Sequence, residues 1–553
     1  MREILKNGAS LFLKRQTSIL SAAFVIMLTY GMSNLIGLLR TRMLIAYFFG
    51  SQTSALDVYY AAMLIPDTFF QILVLGSLSA AFIPVFGKYL ISDAKQAWKI
   101  ASTTLNLTLS VFIFICIGVF IFARPLSAIL APGFAPEQII LMASVLRVML
   151  TVQIFFCVSG FMTGILQVHQ RFLVPAIAPI VYNLGIIGGI VVGANKFGIW
   201  GPTWGMVFGA ALHMFIQLSL ATKLGFRFTK SFSLVLPGVL ETLKLIPPRL
   251  LAMGIDQIEQ FVAVVLASWL SAGSLSLFNV AKLLYVVPAL LFGSTIGQAA
   301  LPTLSLLVGQ NKLEEFAKIL RDACLQVIFL ATPVCVLFVV LRIPIVRLTF
   351  GTKNFPWEAT LLTGKTLAIL AVSSGFHAVM QLMVRGFYAL HDTRTPLKIG
   401  LVAAILGSTL GWALVHWLSW GIAGIAFAIT ITSIGETMVL VWSMKNRLRR
   451  SSLVFNLFGD LSKIFLVGLI TGVCLWIPLR LLDQFVFDTT RTAPLLALTI
   501  TVSGFGIGVY WGLSRLLGIE QLSIVMKLFN KISDMRKNGI NLAQVEPIDG
   551  IHS

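Results

Sequence analysis

Apolar runs close to 20 residues long follow one another along almost the whole chain, and that is the length a helix needs to cross a bilayer. About fourteen such runs centre near residues 30, 73, 112, 152, 183, 211, 257, 290, 332, 376, 406, 430, 468 and 505. Lipid offers no partner to a backbone N–H or C=O, so each run must satisfy its own backbone as a helix. The expected fold class is therefore an all-α polytopic membrane protein with about 14 transmembrane helices. Composition agrees: 58% of the residues are hydrophobic and 11% are charged, against about 25% charged in a soluble domain.

A net charge of +20 could point to nucleic acid, but in a membrane protein it is first a topology signal. The position of the charge decides. One set of loops carries Lys88, Lys95 and Lys99; Arg171; Lys223, Arg227 and Lys230; Lys312, Lys318 and Arg321; Arg394 and Lys398; and Lys445, Arg447, Arg449 and Arg450. The alternate loops hold few basic residues, chiefly Arg124, Lys196, Arg342, Arg347, Lys353 and Arg491. The basic set belongs with the N-terminus (Arg2, Lys6, Lys14, Arg15) and the tail (Lys527, Lys531, Arg536, Lys537). Both termini are thus expected in the cytoplasm of a cell whose cytoplasmic membrane the chain spans repeatedly, with no nucleic-acid partner. The apolar segment after Met1–Thr17 is too long for a signal-peptide core and lacks a small-residue cleavage site, so it is expected to remain as the first span.

The chain also repeats itself. "GSQTSALDVYYAAMLIP" (50–66) aligns without a gap on "AGSLSLFNVAKLLYVVP" (272–288), placing Asp57 over Asn279 and Pro66 over Pro288 at an offset of 222 residues. The same offset lays "GILQVHQRFLVP" on "GFYALHDTRTP", with Gly164 over Gly386 and His169 over His391. Each unit holds six spans, an even number, so both copies enter the membrane the same way and are related by an axis along the membrane normal. The expected organisation is a six-helix lobe over 1–230, a second over 231–450, two additional helices over 451–520 and a cytoplasmic tail over 521–553. Duplicated bundles place their site at the repeat interface near the midplane and work by alternating access, which makes transport the leading class.

Enzyme signatures are missing. Gly364-Lys365-Thr366 resembles the end of a phosphate loop, but Ala359 occupies the position of its first glycine and the context is a membrane helix. The five cysteines stand singly in apolar segments, with no Cys/His cluster at metal-ligand spacing, and read as core residues. Gly185, Gly189 and Gly193, and Gly201, Gly205 and Gly209, form small-xxx-small faces for close helix packing. Neither catalysis, a metal nor an organic cofactor is expected.

Charge at membrane depth is costly, about 2.5 kcal/mol or more even on lenient scales, so each such residue asks for a wet cavity, a partner or the interface. Arg40 and Arg42 lie in "SNLIGLLRTR" and Arg147 in the fourth run; each either snorkels to the interface or faces a cavity. Asp57 and Asp67 are placed to close ion pairs with Arg40 or Arg147, or to act in gating. Asp256 and Glu259, three apart, share one helix face suited to a monovalent coupling cation or proton. His169 and His391 sit beside Arg171 and Arg394 in short loops, where helix capping suits them.

"SNLIGLLRTRMLIAYFFG", "SALDVYYAAMLIPDTF", "SAAFIPVF", "LAPGF", "GILQVHQRFLVPAIAPIVYN", "ALPTLS" and "RGFYALHDTRTPLKI", in that order, resemble the MurJ/MviN family over about residues 18–520. The family comprises lipid II flippases of bacterial peptidoglycan synthesis, within the superfamily that also holds MATE exporters. The resemblance implies two six-helix lobes about a cavity, two extra helices forming a lipid-facing groove, and movement of undecaprenyl-diphosphate-linked precursor to the outer leaflet. It also implies a cycle driven by membrane potential or a cation gradient, and partners among membrane lipids and cell-wall synthesis proteins. Arg40 falls where the family has a cavity arginine and Lys282 where it usually has a basic residue, so both are expected to bind substrate, with Arg42 or Arg147 compensating for what is missing. The family's earlier arginine of the first helix is Asn34 here, and the charged residues of its second helix are replaced around Phe70, Gln71 and Leu75. The alternatives are a flippase for another polyprenyl-linked glycan, a MATE-type cation-coupled exporter, whose cavity should be acidic, and a non-transporting scaffold.

Overall fold

The structure is a computed structural model describing residues 19–71, 79–449, 458–523 and 526. Among these residues it is all-helical, without a strand. Eleven helices among the described residues are long and apolar enough to cross a membrane. They match the expected runs except those near 30, 73 and 257, which pass through segments whose backbone or side chains lie partly outside the described residues. The apolar surface faces outward as a lipid environment requires: Phe114, Val192 and Leu469 are 78%, 76% and 70% exposed on spanning helices, a pattern that a soluble monomer avoids over large areas. The chain is a multi-pass membrane protein.

The described residues fall into two compact units. The first comprises Met1–Leu284, Val346–Leu370 and Thr393–Thr432, and the second Tyr285–Ile345, Ala371–Asp392 and Ser433–Ser553.

In the first unit, the two glycine faces meet as their spacing predicts. The Leu173–Phe197 and Trp200–Lys223 helices pack backbone on backbone. A Cβ on Gly193 would lie 2.7 Å from the Gly201 Cα, and one on Gly205 would lie 2.7 Å from the Gly185 carbonyl oxygen. Gly188, one position off this face, has nothing within 4 Å. A cluster of Phe82, Phe86, Ala97, Ala101, Leu105, Phe161, Met162 and Ile165 forms a second buried core that ties the Ser79–Ser92, Ala94–Ile121 and Pro136–Val168 helices together.

In the second unit, the last two helices, Phe458–Phe485 and Thr492–Leu516, close on Leu313–Val340 through Leu341, Leu475, Leu498 and Val502. The Tyr510 hydroxyl donates to the Phe329 carbonyl at 2.9 Å, and Arg321 pairs with Asp460.

The duplication is visible in backbone irregularities. After Pro288 the chain widens into π turns over Ala289–Ser294, and after Pro66 it does so at Phe70–Gln71. Both irregularities fall in the same register of the repeat, because proline withdraws a helical donor and the helix absorbs the defect as a π bulge. The second sequence match is shifted by one residue in the structure. Both helices end in a left-handed residue, Gln170 (φ 58°) and His391 (φ 57°). The following N–H groups close the turns, Arg171 to Leu166 at 2.8 Å and Asp392 to Phe387 at 2.9 Å. Gln170, not His169, is therefore the equivalent of His391. His169 instead places Nδ1 2.9 Å from the Ile165 carbonyl oxygen. Gly364-Lys365-Thr366 is uninterrupted helix, with the Thr366 hydroxyl bonded to the Leu362 carbonyl at 2.8 Å.

Candidate functional site

Arg40 lies in the Ile19–Phe48 helix, which packs on Leu173–Phe197. Gly37, one turn earlier, has no side chain to fill the space, and Asn183 occupies it: a Cβ on Gly37 would touch the Asn183 amide at 3.9 Å. Asn183 accepts a hydrogen bond from Arg40 Nη1 at 3.0 Å. Arg40 Nε is buried without a partner, and so is the Tyr60 hydroxyl. The guanidinium lies in electrostatic range of Tyr59, Tyr60, Asp67 and Tyr182. Asp67 is exposed between buried neighbours, Pro66 and Thr68. Orphaned buried donors are rare because each costs about 1–3 kcal/mol. Two of them, one on the fixed cation and one on Tyr60 within its electrostatic range, make a site suited to an anionic acceptor.

The polar layer continues without charge. Gln257 Nε2 donates to Gln71 Oε1 at 2.9 Å, and the Thr68 hydroxyl reaches Gln257 Oε1 at 3.4 Å. Phe70 packs at a tilt against Phe156 (ring centroids 4.7 Å apart), and Phe156 meets both Tyr182 and His213, at 5.0 and 5.2 Å. His213 belongs to a closed network: Gln217 donates to the Ser159 hydroxyl at 2.7 Å, Thr163 donates to Gln217 at 2.6 Å, and Ser159 lies 2.7 Å from His213 Nδ1.

Other charged residues named from the sequence are engaged elsewhere. Arg42 donates to the Leu348, Thr349 and Gly351 carbonyls at 2.6, 3.3 and 3.2 Å. It caps the C-terminal end of the Arg342–Phe350 helix, where orphan carbonyls and the helix dipole favour a cation. Beside it, the Asn354 amide bonds the Ala46 carbonyl at 2.8 Å. Asp57 does the converse. Its carboxylate accepts the Gly273 N–H at 2.6 Å, the Ser276 N–H at 2.8 Å and the Ser276 hydroxyl at 2.5 Å, capping the Ser274–Tyr285 helix from a distant part of the chain. Among the described residues it forms no ion pair with Arg40 or Arg147. Arg147 is engaged by Phe120: Nε bonds the Phe120 carbonyl at 3.1 Å, and the guanidinium lies 5.4 Å from the Phe120 ring centroid. Lys282 has Glu259 in electrostatic range. The Asp256 side chain lies outside the described residues, so its face shared with Glu259 has no structural description.

The structure thus groups Arg40 with Asp67 and leaves Arg42, Asp57 and Arg147 in three separate roles. Sequence reasoning missed Asn183, Tyr60 and the His213 network. The available signal was polar residues recurring at helical spacing in apolar spans, as in Ser159, Thr163 and the pair His213 and Gln217. Among the described residues, no group of three or more His, Cys, Asp or Glu is placed to hold a metal ion.

Comparison with known proteins gives this geometry a family. A family model described as lipid II flippase MurJ matches residues 45–491. A probable lipid II flippase MurJ of Bdellovibrio bacteriovorus is 26% identical over 533 residues, covering 95% of this chain and 99% of the relative. One from Thermotoga maritima is 26% identical over 496 residues, covering 90% and 96%. Among solved structures, a lipid II flippase MurJ in an inward closed conformation shares the fold with a TM-score of 0.73 at 23% identity, covering 89% of this chain and 99% of that one. An inward-facing MATE multidrug transporter of the MOP superfamily shares it with a TM-score of 0.61 at 15% identity, covering 78% and 98%. With the family model matched over most of its length, the chain belongs to the MurJ family of lipid II flippases.

Proposed function

We propose that this chain moves lipid II, the undecaprenyl-diphosphate-linked peptidoglycan precursor, from the cytoplasmic to the outer leaflet of the bacterial inner membrane by alternating access, with both termini in the cytoplasm. Family membership supports the reaction, and one observation carries the site: Arg40 is held by Asn183 with Nε buried and unpartnered. A diphosphate supplies the acceptors that Arg40 and the Tyr60 hydroxyl lack, and charge-assisted bonds are the strong kind. Asp67 balances the guanidinium when no headgroup is bound, and its exposure lets water rehydrate it when one is. The polyprenyl tail stays in lipid, so only the headgroup needs a polar route.

Asp57 and Arg42 give the cycle its latch. They join the first repeat to the start of the Ser274–Tyr285 helix and to the end of the Arg342–Phe350 helix. By the loop-charge pattern both contacts lie on the outer side, so they break when that side opens. The neutral Gln71–Gln257 pair in place of family charges leaves Arg40 as the principal headgroup cation in its lobe. Membrane potential or a monovalent cation supplies the drive, with Glu259 beside Lys282 as the candidate ion-linked pair.

The test is depletion of the protein followed by leaflet-specific assay of lipid II. Accumulation in the inner leaflet is expected, and unchanged outer-leaflet lipid II removes the proposal.

A further inference from the structure

Residues 224–236 join the Trp200–Lys223 helix to the Pro237–Ser268 helix without forming a helix of their own. Phe226 is buried against Trp98, with ring centroids 6.2 Å apart, and fixes the start of the segment. From there the chain runs along the Ala94–Ile121 helix, held by side chains of that helix. The Ser102 hydroxyl donates to the Arg227 carbonyl at 3.0 Å, and the Asn106 amide donates to the Thr229 and Ser231 carbonyls at 2.8 and 3.0 Å. The Thr103 hydroxyl bonds the Ser231 hydroxyl at 2.9 Å.

The spacing explains the fit. Alternate carbonyls of an extended chain point the same way about 6.6 Å apart, and residues one helical turn apart rise about 6 Å. Ser102 and Asn106 therefore match the carbonyls of Arg227 and Thr229. In the second repeat the Leu313–Val340 helix, equal in length to Ala94–Ile121, has Arg321 and Leu325 at the equivalent positions, and Arg321 pairs with Asp460.

The outward side of the strap combines two chemistries. Phe228, Phe232, Leu234 and Val235 are 59%, 58%, 56% and 90% exposed. Arg227 and Lys230 are exposed among them, with Lys99 exposed on the supporting helix, and none of the three forms an ion pair among the described residues. There is no acidic residue between 224 and 240, and Glu241 is paired with Lys88 at 3.6 Å. Water alone leaves the apolar side chains unburied, and hydrocarbon alone leaves the cations unpaired. The headgroup boundary satisfies both, with the rings in the acyl region and the cations among phosphates.

We propose that this strap is a docking surface for anionic phospholipid headgroups of the leaflet it faces, with Arg227 and Lys230 as the phosphate contacts and Phe228 and Phe232 as the apolar anchors. The proposal is independent of the transported substrate. Charge complementarity selects the occupant: an unpaired basic stretch beside a membrane attracts anionic over zwitterionic lipid.

The test uses the full chain with its five native cysteines replaced by serine and a fluorophore on a cysteine at Ser233. It is placed in nanodiscs, which offer both faces, so orientation does not matter. Quenching by phosphatidylglycerol carrying a headgroup spin label is expected to saturate at a lower lipid fraction than quenching by the matching phosphatidylcholine. R227Q/K230Q should raise the half-saturating phosphatidylglycerol fraction roughly fivefold or more, and F228S/F232S should weaken quenching by both lipids. Equal quenching by the two lipids, or an unshifted midpoint in R227Q/K230Q, overturns the proposal. Displacement of the lipid by millimolar inorganic phosphate also overturns it, since that would make the strap a free-anion site.

Discussion

Asp57 closes the N-terminus of a helix that begins more than 200 residues later: its carboxylate accepts the Ser276 N–H at 2.8 Å and the Ser276 hydroxyl at 2.5 Å. An N-cap substitution typically costs about 1–2 kcal/mol, and this cap is buried. If, as proposed, this cap lies on the outer side and holds it shut, Asp57→Ala raises labelling of a cysteine at Lys353 by an outside reagent about fivefold or more over wild type. Asp57→Asn keeps an acceptor oxygen and should fall between the two. Equal labelling of the wild type and both variants would show that the cap does not hold this side shut.

Arg42 makes the opposite cap, giving three carbonyls a cation with a planar fork of donors. Lysine has the charge and a single ammonium, so Arg42→Lys should retain part of the stability that Arg42→Ala loses. Thermal unfolding of the purified protein reads the order, wild type above Lys above Ala. Headgroup affinity is expected to stay within twofold in both variants, because the guanidinium is spent on backbone. A selective loss of affinity without loss of stability would make Arg42 a substrate contact.

The glycine faces allow a control within one helix. A Cβ on Gly193 would lie 2.7 Å from the Gly201 Cα, while Gly188 has open space. Gly193→Ala should push the Leu173–Phe197 and Trp200–Lys223 helices apart and cost about 1–3 kcal/mol, as overpacking does. Gly188→Ala should be neutral or slightly stabilising, since alanine favours helix. Urea or thermal unfolding in detergent compares the two, and a neutral Gly193→Ala would contradict the close packing.

The spans, the small-residue faces and the duplication were legible because each rests on a local pattern: length, period or register. The Asp57 and Arg42 contacts were not. From the sequence Asp57 suggests an ion pair with Arg40 or Arg147, and Arg42 a substrate contact or an interfacial anchor, yet each instead finds helix-terminal backbone in the other repeat, and orphan N–H and C=O groups leave no mark in a sequence. Arg147 fails as a cavity residue for a related reason: helical rotation decides whether a charge faces Arg40 or Phe120, and a long apolar helix with polar residues on several sides does not declare its rotation. Asn183 stood in a recognised motif, but its role depends on Gly37 leaving room in another helix.

Arg40 is the residue on which the substrate reading depends. Its Nη1 is fixed by Asn183 at 3.0 Å, and its Nε is buried with no acceptor. An interfacial arginine would instead extend its head to water, where lysine serves as well. If Arg40 binds a diphosphate, losing it should weaken headgroup binding by about 1.5–3 kcal/mol, ten- to a hundredfold. Arg40→Lys should keep part of that, and Arg40→Glu should be worst, because it repels the phosphate and adds to the charge of Asp67. Asn183→Ala tests the positioning separately: it leaves the charge in place but frees the side chain, so affinity should fall less than in Arg40→Ala. Tyr60→Phe removes the second unpartnered donor and is expected to lose affinity without losing stability, since deleting an orphaned hydroxyl relieves a buried polar group. Complementation of a flippase-depleted strain at matched membrane abundance, with lipid II binding measured on the purified variants, reads the order. Full rescue and unchanged binding by Arg40→Ala would return Arg40 to a structural role.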